Sequence, residues 1–335
     1  MGKPRTIHYF VWLRALGAVA IVLLHTFVTL HIAGGDSLSS VRVQIEDVLL
    51  VVLSRWAVPV FFMMSGALML DPEREMGWDK TLRHVWRLGF VLLTFGFAFC
   101  IIEEAIQQGG ILSVSVILTA FVNLLNENSW DHMWFIYQLL GFYLMTPIIR
   151  PWLAQASRRE LGVVSLTTCL LFFVCRFASK FLHFIVYYGV YLPQCFAYYL
   201  AGYYIHRYLK FDWRWAVAGA ISLTVTVFGL AVLGWEWAGE PMRGLIAPYS
   251  VAVMLAAKRY LDKPVEGHRL IALLADFSFG IYIIHPLFQH LLVRVVDIVT
   301  WPAVVADLAM TVVSLVLSIA FIWLLRFVPG FRGKV

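Results

Sequence analysis

Residues 11–30 read VWLRALGAVAIVLLHTFVTL, an apolar stretch interrupted by Arg14 and His25. A stretch of this length and character is long enough to cross a bilayer as a helix. An ionisable side chain inside such a helix is costly, so each one is a candidate functional residue. The two are eleven positions apart, or about three helical turns, so they project from nearly the same face at depths roughly 16 Å apart. We therefore predict that a cation and an imidazole line one pathway inside the membrane.

The composition excludes an ordinary soluble domain, because 61% of the 335 residues are hydrophobic and only 14% are charged. We predict an all-α, polytopic integral membrane protein with about ten transmembrane helices, organised as a single transmembrane domain over residues 1–335. A weaker apolar stretch at 111–125 is interpreted as interfacial or re-entrant. The predicted spans are residues 9–31, 46–70, 86–106, 133–150, 161–178, 183–206, 213–234, 243–260, 270–296 and 302–328.

The basic residues set the predicted orientation. One set of span flanks carries 19 lysines and arginines and the opposite set carries 5, and the richer side is expected to be cytoplasmic. Both termini are therefore predicted to be cytoplasmic. This places Arg14 in the inner half of the membrane, and His25, His132 and His285 toward the outer side. The net charge of +6 mostly reflects this bias, so it indicates anionic lipids or an anionic cytosolic ligand and not nucleic acid.

Four segments together resemble a known family. They are the Arg14 and His25 pair, VPVFFMMSGALML at 58–70, HMWFIYQLLGFYLMTPII at 132–149, and FSFGIYIIHPL at 277–287. In this order, with ten spans, the chain resembles acyltransferase family 3, the membrane O-acyltransferases, in a stand-alone form without an appended extracytoplasmic domain. One departure is LRHVWRLGFVLL at 82–93, which lacks the proline that the family often has near its third span.

The resemblance implies an activity and a location. Members transfer an acyl group, usually acetyl, from cytoplasmic acyl-CoA to a hydroxyl of an extracytoplasmic glycan or glycolipid, in the bacterial cytoplasmic (inner) membrane. The expected partners are acetyl-CoA or another acyl-CoA, a glycan or lipid-linked saccharide acceptor, and membrane lipids. Arg14 and His25 are the expected essential pair. The acceptor, the acyl chain and homo-oligomerisation stay open.

Roles for the remaining residues follow as hypotheses. The coenzyme A phosphates would pair with cations, Arg14 would hold the pyrophosphate or steer the pantetheine arm, and His25 would act as a base or carry the acyl group. His285 and His132 would be a second base, an acceptor ligand or an oxyanion donor. No metal is expected, because His285 and His290 are poorly spaced and lack an acidic cluster. The phosphate candidates are Arg14, Arg83, Arg87, Lys258 and Arg259, and the substrate-binding candidates are Ser65, Trp134 and Tyr282.

Two other classes of protein remain as alternatives. A proton-coupled transporter, or a flippase of a lipid-linked sugar, would also place arginine and histidine inside a bundle, but it would not consume acyl-CoA. A sensor or scaffold would tolerate His25→Ala without biochemical loss.

Overall fold

The computed structural model describes residues 6–34, 52–181 and 191–335, with side chains at 131, 172–173, 175–181, 191–194 and 230–244 outside the description. Regular structure in these ranges is helical throughout, with no strand, which confirms the all-α prediction for this part of the chain. Short turns of π-helix (Leu92–Gly96) and 3-10 helix (Asp131–Met133 and Ile298–Thr300) lie between the main helices. The α-helices are α1 (His8–Gly34), α2 (Ala57–Met69), α3 (Trp78–Val91), α4 (Phe97–Gln107), α5 (Val114–Leu125), α6 (Trp134–Gln155), α7 (Arg158–Phe181), α8 (Tyr191–Tyr208), α9 (Trp213–Tyr260), α10 (Arg269–Val295) and α11 (Ala303–Leu325).

Five helical segments in the described ranges are long and apolar enough to cross a membrane: His8–Gly34, Val52–Met69, Trp78–Gln107, Arg269–Val295 and Ala303–Leu325. They coincide with five of the predicted spans, so the chain is a multi-pass membrane protein. The weak stretch at 111–125 becomes α5, whose 12 residues reach only about 18 Å. Residues 46–51 of the predicted span 46–70, and residues 183–190 of the predicted span 183–206, lie outside the described residues. The total number of crossings and the side of the termini stay predictions.

The chain forms two compact units. The first unit comprises Met1–Leu68 and Ser157–Ile322, and the second comprises Met69–Ala156 and Trp323–Val335. In the first unit α1 packs along α10, and α7 packs along α8. In the second unit α3 packs against α6, and α4 against α5.

Helix α9 is assigned as one element where the sequence predicts two spans. Its 48 residues would extend about 70 Å if straight, more than twice the hydrocarbon thickness. Its two halves nevertheless contact each other. The Ser222 hydroxyl donates a hydrogen bond to the Leu245 carbonyl, and a Cβ built on Gly219 would lie 2.7 Å from the Cβ of Ala252. The element therefore folds back on itself, and its two halves run antiparallel.

Glycines set the closest helix crossing of the first unit. A Cβ built on Gly66 of α2 would overlap the carbonyl oxygen of Tyr199 in α8, and one built on Gly202 would overlap the carbonyl oxygen of Met63. The two backbones thus touch at both glycines. Small residues at a crossing let helices approach closely in the membrane, where packing drives association. Helix packing therefore explains the glycine in the 58–70 segment, Gly66.

Candidate active site

Helices α1 and α10 run parallel, and this pairing assembles the site. Contacts advance in the same direction along both helices: the rings of Trp12 and His268 lie 5.1 Å apart, those of His25 and His285 lie 5.1 Å apart, and Gln289 reaches Val22. The α10 side of α1 therefore carries His25. This geometry brings together two predicted site residues that are distant in sequence.

The two imidazoles meet edge to face, with an angle of 75° between their planes. His285 is completely buried, whereas His25 is half-buried. His25 is therefore the less buried of the two rings. Two titratable rings in direct contact inside a bundle are suited to proton transfer.

The backbone fixes the tautomer of His285. Its Nδ1 lies 2.9 Å from the carbonyl oxygens of both Ile281 and Tyr282. A carbonyl oxygen only accepts hydrogen bonds, so Nδ1 must carry the proton. In the neutral ring Nε2 then holds the lone pair, and it is the atom that accepts a proton. Such backbone anchoring orients a histidine in the way that a carboxylate partner does elsewhere.

A neutral polar network lies about one turn beyond the histidines, and the sequence analysis did not single it out. The buried amide Nε2 of Gln289 donates to the Val22 carbonyl at 3.0 Å and to the Thr26 hydroxyl at 2.8 Å. The Thr311 hydroxyl of α11 donates to the same Thr26 oxygen at 3.2 Å. Gln289 therefore ties α10 to the α1 turn that carries His25. Its position, four residues after His285 on the same helix face, is the signal that could have identified it.

Arg14 faces α10 as well. It is exposed, and it interacts electrostatically with Asp276, which is also exposed. Both Arg14 and His25 therefore lie toward α10, as their helical spacing predicts. Asp276 is a second residue that the sequence analysis missed, although it lies on the same helix as His285.

The second unit holds His132 and Trp134. His132 is 3% exposed, and its ring lies 5.8 Å from that of Phe99, which stacks on Trp130 at 4.2 Å. Trp134 is 39% exposed. In the adjoining loop, burial raises the pKa of Glu127, while a hydrogen bond with Gln138 opposes that rise. His132 thus belongs to an aromatic cluster of its own unit.

A comparison with protein families identifies the family of this chain. A profile described as an acyltransferase domain, of acyltransferase family 3, matches residues 7–326. The chain belongs to acyltransferase family 3. The match covers both compact units and includes every candidate residue of the site, so the resemblance predicted from the four segments is confirmed. Neither a search of curated proteins nor a search of solved structures found a match. The protein is therefore a membrane acyltransferase.

One cation of this acyltransferase has a structural contact that the sequence did not suggest. The Lys258 ammonium donates to the carbonyl oxygens of Ile205, His206 and Leu209, at 3.2, 2.7 and 2.7 Å. These carbonyls lie at the C-terminal end of α8, where backbone acceptors lack helical partners and the helix dipole favours a cation. All three donors of the ammonium are used. Lys258 is thus a helix cap, whereas its neighbour Arg259 is exposed beside the Tyr260 ring.

Two further cations of the acyltransferase lie on α3 in the second unit. Arg83 is exposed. Arg87 donates from Nε to the Lys334 carbonyl at 2.9 Å, and the Lys334 ammonium sits 3.7 Å from the centre of the Phe90 ring. The last residues of the chain therefore pack on the helix that carries both arginines.

The remaining candidates lie in the first unit. Ser65 of α2 is half-buried and precedes Gly66 at the glycine crossing. Tyr282 is buried, and its carbonyl accepts a hydrogen bond from His285. The structure places Tyr282 beside the histidine pair through its backbone, and its role toward a substrate stays a prediction.

Proposed function

We propose that this acyltransferase is an O-acetyltransferase that moves an acetyl group from cytoplasmic acetyl-CoA to a hydroxyl of an extracytoplasmic glycan or glycolipid, in a bacterial cytoplasmic membrane. The observation that supports this most is the edge-to-face pair of His25 and His285, 5.1 Å apart within helices of membrane length. It offers acid–base chemistry between the two sides of the membrane.

The reaction needs one proton relay. The acceptor hydroxyl loses its proton to an imidazole, its oxygen bonds to the thioester carbonyl carbon, and the carbon–sulfur bond breaks. The thiolate of coenzyme A then takes the proton from the imidazolium. We assign the relay to His25, because it is half-buried and within reach of reactants. The same nitrogen can instead attack the thioester first and form an acyl-histidine, so two routes lead to the same products.

We assign a supporting role to His285, which is buried beside His25. Its anchored Nδ1 leaves Nε2 as the basic atom, and the ring contacts His25 directly. If His25 passes the hydroxyl proton to Nε2, the His285 ring becomes a cation that stabilises negative charge on the thioester oxygen, and the proton then returns through His25 to the thiolate.

Arg14 is the proposed guide for the donor. It lies about 16 Å from His25 along α1, and it is accessible, so its guanidinium can pair with the pyrophosphate or lead the pantetheine arm inward. Phosphate binding by Arg83, Arg87 and Arg259 is proposed from their charge at the predicted inner ends of the spans. The resemblance supports roles for Ser65 and Trp134 as motif positions, and the roles of Tyr282 and His132 stay hypotheses. Lys258 is left out of the proposed donor site because carbonyls occupy its three donors.

The decisive experiment uses purified protein in liposomes with acetyl-CoA on the side of the N-terminus. Release of free thiol is followed with and without an extracytoplasmic glycan fraction, for the wild type and for His25→Ala. His31→Ala is the matched control, because His31 is an exposed histidine further along the same helix. Thiol release that requires both the glycan and His25 is the expected result. Release by His25→Ala at the wild-type rate would overturn the proposal, and glycan-independent transport of a labelled sugar would point to a transporter.

A further inference from the structure

Helix α11 presents a buried polar face to the site. Thr311, Ser314 and Ser318 are at most 4% exposed and recur at helical spacing, so they share one side of α11. The Thr311 hydroxyl bonds to Thr26, the neighbour of His25. The Thr311 end of this face therefore contacts α1 at the residue next to His25.

Ser314 and Ser318 are completely buried, and neither hydroxyl has a hydrogen-bond partner among the described residues. Several other hydroxyls in helices of this chain satisfy themselves on the preceding turn, whereas the buried hydroxyls of Thr81 and Ser165, in other helices, also have no partner among the described residues. Thr146 donates to Phe142, Thr226 to Ser222 and Ser250 to Ile246, at 2.7–2.9 Å. A buried hydroxyl without a partner is destabilising. Two such hydroxyls, one turn apart on the helix face that carries Thr311, are therefore hydrogen-bond donors that a ligand could satisfy.

The register of the helices places both serines between His25 and Arg14. Leu30 of α1 clusters with Ala306 and Met310, near the start of α11, so α11 runs antiparallel to α1. The contact of Thr311 with Thr26 fixes the relative height of the two helices along their axes. With a rise of about 1.5 Å per residue, Ser314 lies about 3 Å and Ser318 about 9 Å along the axis from His25. Both displacements are toward Arg14, which lies about 16 Å from His25.

We infer that the hydroxyls of Ser314 and Ser318 bind the carbonyl oxygens of the acyl donor's pantetheine arm and thioester. This inference rests on the proposed function. An arm that extends from Arg14 to His25 passes the levels of both serines, and its amide and thioester oxygens need donors once they leave water. A serine hydroxyl supplies such a donor. Ser314, nearest the histidines, serves the thioester, and Ser318 serves the arm.

The test compares two ligands that differ by the acetylated phosphopantetheine arm, which includes the second phosphate of the pyrophosphate. Binding of acetyl-CoA and of adenosine 3′,5′-bisphosphate, which lacks the arm, is measured for the full chain in lipid nanodiscs. The variants are Ser314→Ala, Ser318→Ala and the size-matched Ser314→Cys and Ser318→Cys. Ser250→Ala is the control, because Ser250 is equally buried but its hydroxyl is satisfied by Ile246.

Each serine variant should weaken acetyl-CoA binding roughly three- to tenfold, the effect of one lost hydrogen bond, and leave bisphosphate binding unchanged. The melting temperature should stay the same or rise, since an unsatisfied hydroxyl is removed, whereas Ser250→Ala should lower it. Unchanged acetyl-CoA affinity, equal weakening of both ligands, or a melting temperature lowered as in Ser250→Ala would overturn the inference.

Failure of the proposed function can be distinguished from failure of the serine site. Serine-dependent acetyl-CoA binding without transfer to any glycan would refute the O-acetyltransferase proposal and retain the serine site. A wild-type protein that binds no acetyl-CoA would overturn both.

Discussion

At the scale of single residues, Gln289 is the side chain that holds the histidines in register. Gln289→Leu removes its hydrogen bonds to Val22 and Thr26. We expect kcat to fall about tenfold or more, since small misplacements of reacting groups are costly, with the KM for acetyl-CoA within about twofold. Steady-state kinetics on folded protein checks this. Thr311→Val removes only the hydrogen bond to Thr26 and should lower kcat less. An unchanged kcat for Gln289→Leu would contradict the positioning role of Gln289.

Because Asp276 interacts with Arg14, the proposed donor site requires an anionic donor to compete with this carboxylate. Asp276→Asn removes a negative charge that repels the donor's phosphates, so bisphosphate binding should tighten about two- to fivefold at low salt, and less at high salt. Arg14→Gln should weaken the same binding. Titrations at two ionic strengths measure both effects. Weaker binding for Asp276→Asn would show instead that the carboxylate positions the guanidinium.

The sequence identified ionisable side chains in apolar spans and little else at this scale. Arg14, His25 and His285 stand out because charge in lipid is costly. Gln289, Ser314 and Ser318 do not, because neutral polar residues are common in spans and their significance depends on partners far along the chain. Lys258 was predicted to bind phosphate because it is a cation at a predicted inner span end. Its contacts with the carbonyls at the end of α8 could not be read from the sequence.

At the scale of helices, the contact between α2 and α8 at Gly66 and Gly202 leaves no room for a larger side chain. Gly66→Ala or Gly202→Ala must push two backbones apart, so each should lower the free energy of unfolding by about 3 kcal/mol or more. Gly141→Ala is the matched control, because a Cβ there meets nothing within 4 Å, and alanine favours the helix by up to about 1 kcal/mol. Thermal unfolding in detergent compares them, and similar melting temperatures for all three would contradict the crossing.

The contact of Lys258 with the carbonyls at the end of α8 predicts a structural role for this lysine and not a role in ligand binding. Lys258→Met leaves three carbonyls without their donor and should cost about 1–3 kcal/mol of stability, with bisphosphate affinity unchanged. Arg259→Met, on the next residue, should leave stability nearly unchanged. The opposite pattern, with stability intact and bisphosphate affinity lost, would restore Lys258 to the phosphate site.

Apolar runs in the sequence predicted which segments form helices, but they did not predict which helices pack together. The spans near 9–31, 270–296 and 302–328 match α1, α10 and α11 closely because each is a long apolar run. The parallel pairing of α1 with α10, and the antiparallel placement of α11, depend on side chains that interdigitate across about 260 residues of sequence, which no local pattern encodes.

At the scale of the whole molecule, topology can be tested through α9. Parallel packing of α1 and α10 requires an odd number of crossings between them, and the seven predicted spans from 46–70 to 243–260 satisfy this only if α9 crosses twice. In a cysteine-free background, Lys210→Cys and Lys263→Cys should react with a membrane-impermeant maleimide from the same side. Asp297→Cys, between α10 and α11, should react from the other side. Labelling of positions 210 and 263 from opposite sides would show a single crossing.

The pairing of α1 with α10 has a consequence for synthesis. His25 and His285 are 260 positions apart, and at roughly 5–20 residues per second the ribosome needs about 13–50 seconds to make the intervening chain. Throughout that interval the first helix must stay in the membrane with a guanidinium and an imidazole whose partners do not yet exist. A nascent chain that stalls before α10 is therefore left with ionisable side chains in its first helix that lack the partners provided by α10.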